Sequence, residues 1–308
     1  MRVRTTEYEA HRARKKRTLE LILPRLFEVD PKHAERVALC GEQVFIAVCK
    51  GCHAKHYVGH NRCMSRFCLD CAHRRSLVYT AKVMERMRPY LDEGYVPHML
   101  TLTIRDGPNL KERLEFLKSS WRRFTHEHRD SRRIYKLRMC GGIRSIEVKI
   151  GRGSGQWHPH MHMVYLAPPN QFVRDYEWIM PEWKRATMGQ GSVEVHKVKA
   201  KEGTGILKAV IECVKYAVAP DKATLGYTKD PERDLRLFAE MYDAIRGARL
   251  VNTWGLLRGV DKSAEEEAAK NVDEKKLTEF ICQLCGCTTY ELESVMADAL
   301  RDTVLLDL

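Results

Sequence analysis

The sequence predicts an α+β protein. Its centre is a split βαβ, ferredoxin-like antiparallel sheet with helices on one face, preceded by a zinc-ribbon-like segment and followed by a mostly helical region. Three observations lead there. Between residues 99 and 218 the periodicities follow the order strand, helix, strand, strand, helix, strand, helix. Ahead of them, residues 40–76 are rich in Cys, His and Arg and poor in aliphatics, so a metal must replace the missing core. The 308 residues are 44% hydrophobic and 31% charged, enough for one large or two modest domains and too apolar for wholesale disorder.

In chain order, residues 1–39 form a basic lead-in with a short helical stretch limited by Pro24 and Pro31. Residues 40–90 hold the cysteine-rich segment and a helix over 77–90. Met99–Ile104 (MLTLTI) has strand composition, and Asn109–Asp130 has the apolar spacing and end charges of a helix. Ile143–Ile150 and His160–Ala167 are strands joined by the glycine-rich GRGSGQWHP, most simply paired as a hairpin. Phe172–Met188 reads as helix with Pro181 as a kink or break, Ser192–Val198 alternates as a strand, and Ile206–Val218 returns to helix. A catalytic domain is expected over 91–225, and a helical C-terminal region with an acidic tail over 226–308.

Charge points to a partner. The chain carries 53 Lys+Arg against 41 Asp+Glu, net +12. Residues 1–90 hold 19 basic and 9 acidic side chains, whereas residues 261–308 hold 5 and 12. Such a basic body suits a polyanion, most often nucleic acid. No run of 18 uncharged apolar residues occurs and the first 20 residues lack an apolar signal core, so a cytoplasmic protein with no membrane partner is expected. Eleven cysteines in that compartment read as reduced thiols, and clustered ones as metal ligands.

Cys49 and Cys52 are followed, after 15 residues, by Cys68 and Cys71. Two such knuckles can present four thiolates tetrahedrally to a structural Zn²⁺. Cys63, His53, His56 and His60 lie between them as possible substitutes. Arg62, Arg66, Arg74 and Arg75 are the candidate DNA contacts of this segment, with a zinc that only folds the segment as the alternative. Cys282, Cys285 and Cys287 form a second cluster with no obvious fourth ligand nearby; Cys40, a distant histidine or a partner chain could complete it, or the thiols could simply be accessible.

His160 and His162 are two apart on a strand and so share one face, with Pro159 at the strand's start and His158 at its edge. Glu147, on the preceding strand, lies within hairpin reach. Two imidazoles and a carboxylate make an N/O site suited to Mg²⁺, Mn²⁺ or another divalent ion; two histidines on a polar sheet face are the plainer alternative. On the helix over 206–218, Glu212 and Tyr216 are four apart on one face, with Lys208 in the same stripe and Lys215 beside the tyrosine. A tyrosine there could be ordinary core edge, but a phenol beside a carboxylate and lysines suits nucleophilic attack on a phosphodiester.

MLTLTI, WHPHMHMVYL and ECVKYAVAPDK resemble the three motifs of the rolling-circle plasmid replication initiators of the HUH endonuclease superfamily. CMSRFCLDC resembles the cysteine-rich stretch upstream in that family, and the resemblance covers about residues 45–225. It implies the HUH endonuclease fold, His160 and His162 as ligands of a catalytic divalent ion, Tyr216 as the DNA-nicking nucleophile and Glu212 as the base that activates water at termination. Glu147 as third ligand comes from the hairpin instead. The implied activity nicks one strand at an origin, leaving a 5′-phosphotyrosine and a free 3′-OH. The implied partners are origin DNA, single-stranded or hairpin at the nick, and a host helicase and polymerase. The implied setting is a prokaryotic plasmid or virus. A transposase would share this chemistry. A histidine-triad hydrolase leaves Tyr216 and the cysteines unexplained, and an Fe(II) oxygenase is normally a β-sandwich. A non-enzymatic zinc-ribbon DNA-binding protein makes the Glu212–Tyr216 helix a coincidence.

Overall fold

The computed structural model describes residues 6–126, 139–151, 153–169, 175–198, 204–215, 230–272, 274–300, 303 and 305–307. The chain forms two compact units, one built from both ends (residues 1–72 and 266–308) and one from residues 73–265.

The first unit opens with α1 (Glu7–Arg17), whose N-terminus is closed by a reciprocal capping box between Thr6 and Glu9. A π-helical turn (Thr18–Ile22), α2 (Leu23–Val29) and α3 (Pro31–Ala38) follow, the last capped by the Asp30 carboxylate accepting from the His33 N–H. Next come β1 (Gln43–Cys49) and β2 (Lys55–His60), paired as an antiparallel hairpin. Then α4 (Leu69–Asp92) begins, eight residues before the helix read from the sequence, its Leu69 N–H donating to Thr18 Oγ1 at 3.1 Å.

The second unit contains β3 (Val96–Ile104), α5 (Leu110–His126), β4 (Gly141–Glu147), β5 (His160–Ala167), α6 (Asp175–Ala186), β6 (Gly191–Lys197), α7 (Thr204–Lys215), α8 (Pro231–Ile245) and β7 (Val251–Gly255). Its sheet has the order β6-β3-β5-β4-β7, every pair antiparallel. The four strands expected from periodicity are all present, with β5 between β3 and β4. The ends of two expected helices, residues 127–130 and 216–218, and the start of a third, 172–174, lie outside the described residues.

The region expected to be mostly helical holds α8, α9 (Val260–Ala269) and α10 (Glu274–Thr278), but also β7 and β8 (Tyr290–Met296). These two strands are additions to the helices: β7 extends the five-stranded sheet beside β4, and β8 pairs antiparallel with β1 in a three-stranded sheet.

Alternation of side chains gives the five-stranded sheet two different faces. On one, Leu100, Leu102, Ile146, Met161 and Met163 are buried. There α5 brings the Arg144 guanidinium a stacking partner in Trp121, 4.8 Å away. On α6, Trp183 packs edge-on against Phe124 and donates to the Thr103 carbonyl at 2.8 Å. On the other face lie Thr101, Ser145, Glu147, His160 and His162, and α7 packs there. Among the described residues, no helix is long and apolar enough to cross a membrane.

Candidate active site and metal centres

Hairpin register sets the first site. Glu147 on β4 stands opposite His160 on β5, and Ser145 opposite His162, so all four side chains point to one face. Glu147 Oε2 lies 2.6 Å from His160 Nε2 and 2.9 Å from His162 Nε2. The other ring nitrogens are held from behind. His160 Nδ1 sits 3.3 Å from the His158 carbonyl and His162 Nδ1 3.1 Å from the Thr101 hydroxyl, which aims both Nε2 atoms at the carboxylate.

Burial by itself would raise the Glu147 carboxyl, but hydrogen bonds and charge from His160 and His162 outweigh it and hold the group well below the usual carboxylate range. Burial lowers His160, against the pull of Glu147. At neutral pH this leaves an anionic oxygen facing at least one neutral imidazole, a donor set that fits a divalent cation.

The helix on this face is fixed by its cysteine. Buried Cys213 points its thiol at the carbonyls of His162 (3.5 Å) and Ile143 (3.7 Å), while the Ser145 hydroxyl donates to the Cys213 carbonyl. Glu212, its neighbour, is half-buried, and Lys208 is exposed. The side chain of Lys215 and the whole of Tyr216 lie outside the described residues.

The cysteines are partitioned differently from their reading in sequence. Cys68 and Cys71 do not meet Cys49 and Cys52; they converge with Cys40 and Cys63, all four buried. The Sγ···Sγ distances are 3.5 Å (Cys40–Cys71) and 3.7 Å (Cys63–Cys71 and Cys40–Cys68). A tetrahedron of thiolates about 2.3 Å from Zn²⁺ has edges of about 3.8 Å, so this cluster fits zinc and is far too open for disulfides. N–H groups of Cys63 and Ser65 donate to Cys40 Sγ and Cys63 Sγ, both at 3.5 Å. Cys71 sits in the first turn of α4, where the helix dipole favours a thiolate. Cys49 and Cys52 instead group with Cys282 and Cys285. The pairing expected from spacing is thus not formed: neither CxxC meets the other, and each is completed by cysteines elsewhere in the chain.

The Rep_1 family model, of replication proteins, matches residues 55–283. The chain belongs to that family. Curated relatives include the protein rep of Lentilactobacillus hilgardii, 28% identical over 270 residues that cover 80% of this chain and 81% of the relative. The protein rep of Bacillus amyloliquefaciens is 26% identical over 273 residues, covering 80% and 78%. A replication protein of Staphylococcus aureus is 27% identical over 176 residues, covering 53% and 71%. No solved structure gives a significant match.

In this Rep_1 chain the arginines singled out for DNA include two engaged by named protein groups. Arg62, its side chain 10% exposed, donates Nε to the Lys270 carbonyl at 3.0 Å and faces Asp70 at 3.5 Å. Buried Arg75 pairs with Glu265 at 3.0 Å. Arg66 and Arg74 are half-buried. Asp70 also meets Arg14 and His60, each at 2.8 Å, and His11 at 3.3 Å, so His11, His60 and Asp70 form a buried polar cluster whose carboxylate is already engaged by guanidinium groups.

Sequence reasoning missed the companions of the histidine site. Lys149 Nζ lies 3.5 Å from His160 Nε2, and Asp106, just after β3, bonds both His158 Nδ1 and the Ser154 hydroxyl. The neighbouring position of β3 in the sheet was the available signal for Asp106; Lys149 had none beyond its place after the hairpin.

Proposed function

We propose that this replication protein initiates rolling-circle replication by nicking one strand of its origin, with residues 91–225 as an HUH nickase domain. The observation that carries this is the convergence of Glu147, His160 and His162 on the sheet face against which α7 packs, the helix that directly precedes Tyr216 in the sequence. The strand order β6-β3-β5-β4 supports the same fold assignment.

In this reading Glu147, His160 and His162 hold Mg²⁺ or Mn²⁺. A cation bound there supplies withdrawal of charge from a non-bridging phosphate oxygen. The Tyr216 phenol loses its proton and its oxygen attacks phosphorus. The P–O3′ bond breaks, the departing oxygen takes up a proton as the free 3′-OH, and the 5′ phosphate stays on Tyr216. Lys215, next to that tyrosine, places positive charge by the phosphate. In termination a 3′-OH displaces Tyr216 by strand transfer, or Glu212 takes a proton from water that attacks the phosphodiester. The 3′-OH primes a host polymerase, with a host helicase opening the duplex, and zinc serves folding alone.

The test pairs cleavage with binding. His160→Ala with His162→Ala should abolish nicking of supercoiled and single-stranded origin DNA while leaving duplex affinity within a few-fold, because affinity comes chiefly from basic contacts. Undiminished nicking by that variant, or by wild type in EDTA, would remove the metal-dependent reading.

A further inference from the structure

We propose that each chain holds two structural zinc ions, the second bound by Cys49, Cys52, Cys282 and Cys285 as a clasp between the N-terminal hairpin and the C-terminal segment. The four sulfurs gather within 4.8 Å of one another, with Cys49–Cys285 at 3.6 Å and Cys52–Cys282 at 3.5 Å. Those separations again match the edge of about 3.8 Å that tetrahedral Zn–S geometry requires.

Both halves are shaped as metal knuckles. In the first, the Gly51 N–H donates to Cys49 Sγ at 3.3 Å and the His53 N–H to the Cys49 carbonyl at 2.9 Å, with His53 at φ +60° closing the turn. In the second, the Gly286 N–H donates to the Cys282 carbonyl at 2.8 Å and the Cys282 N–H to the Cys287 carbonyl at 2.9 Å, with Gly286 at φ +72°. The knuckles approach so closely that a Cβ on Gly51 would lie 3.2 Å from Cys287 Cβ and 3.4 Å from Cys285 Sγ.

Cys287 is not a ligand. Its thiol faces Thr289, 3.2 Å from the hydroxyl and 3.6 Å from the carbonyl.

Strand β8 follows directly and pairs along the whole of β1, yet none of its seven residues is buried. Its apolar anchorage is limited to Tyr290 and Val295, each partly buried against a neighbouring core cluster. The fully buried core beneath the knuckles comprises only Ala47, Val58, Phe280 and the proposed ligands Cys49 and Cys282, with a half-buried rim that includes Phe45, Leu277 and Tyr290. So small a core leaves the fold of this region to coordination, as in other small metal-dependent modules. The clasp would give the acidic C-terminal segment a defined place in the fold.

The test is metal stoichiometry on the full-length protein purified without chelator. Elemental analysis should find two zinc ions per chain in wild type, one in Cys282→Ser with Cys285→Ser, and two in Cys287→Ser. One zinc in wild type, two in the double variant, or one in Cys287→Ser would each overturn the clasp. Should the double variant fail to fold, cadmium substitution of wild type decides. Thiolate-to-cadmium charge-transfer absorbance equivalent to eight cysteine ligands supports the second site, and absorbance equivalent to four refutes it.

Discussion

Replacing Glu147 by Gln keeps side-chain volume and removes one negative charge from between two imidazoles. Its Oε2 is 2.6 Å from His160 and 2.9 Å from His162, so the substitution acts on cation binding and on the empty site together. Loss even of an outer partner of a metal ligand typically weakens binding about 10- to 100-fold. Removing an anionic ligand belongs at the upper end, about 100-fold, or about 2.8 kcal/mol at 1.4 kcal/mol per decade. Without cation, each hydrogen bond to the carboxylate contributes about 1.5–3 kcal/mol, and the amide oxygen preserves one of them in weaker form. The cation-free variant should therefore be less stable by about 1–2 kcal/mol. Calorimetric titration with Mn²⁺ and thermal melts with and without Mn²⁺ measure both effects. Unchanged Mn²⁺ affinity alongside a lowered melting temperature would show that Glu147 only orients the histidines, and the ligand set would be wrong.

Ser145→Ala removes the hydroxyl that ties α7 to β4 at the Cys213 carbonyl; it should cost about 1–2 kcal/mol in denaturant melts and reduce nicking more than DNA binding. Asp106 is pushed up by burial but held low overall by its hydrogen bonds to Ser154 and His158 and by nearby positive charge. A depressed folded-state pKa stabilises above the unfolded value of about 3.9 and is lost as pH falls through the lower folded value. Asp106→Asn should thus destabilise at pH 7 and converge with wild type in strongly acidic melts; an equal deficit at all pH values would contradict this. Arg62→Ala and Arg75→Ala should lower stability while leaving the salt dependence of DNA binding unchanged, whereas each lost phosphate contact would reduce the log–log slope by about 1.

The histidine site was legible because two short-range rules produce it. Period-two alternation puts His160 and His162 on one face, and a hairpin brings Glu147 opposite. The four sheet strands and the helices between them were legible for the same reason, since their apolar periodicity is local. The two cysteine clusters were not. Cys49 and Cys52 find partners about 230 residues away, and Cys40 stands outside any CxxC, so no local spacing encodes either set. The usable signal was that Cys282-Gln-Leu-Cys285 is itself a knuckle without a neighbour. Strand β8 escaped for a related reason: its exposed YELESVM lacks the half-buried alternation that marks a strand, and only pairing with β1 makes it one. Arg62 and Arg75 read as DNA contacts because charge in a sequence does not reveal which carboxylate or carbonyl it will meet in the fold.

Proposed nicking depends above all on attack of Tyr216 on the scissile phosphodiester. Labelled single-stranded origin DNA, incubated with Mn²⁺ and resolved on a denaturing gel, should form a covalent adduct with the wild-type chain. Peptide mapping should place the nucleotide on Tyr216, and Tyr216→Phe should bind the same DNA with unchanged affinity and form no adduct. An adduct on the Phe variant, or one mapped to another residue such as Tyr227, would contradict the account.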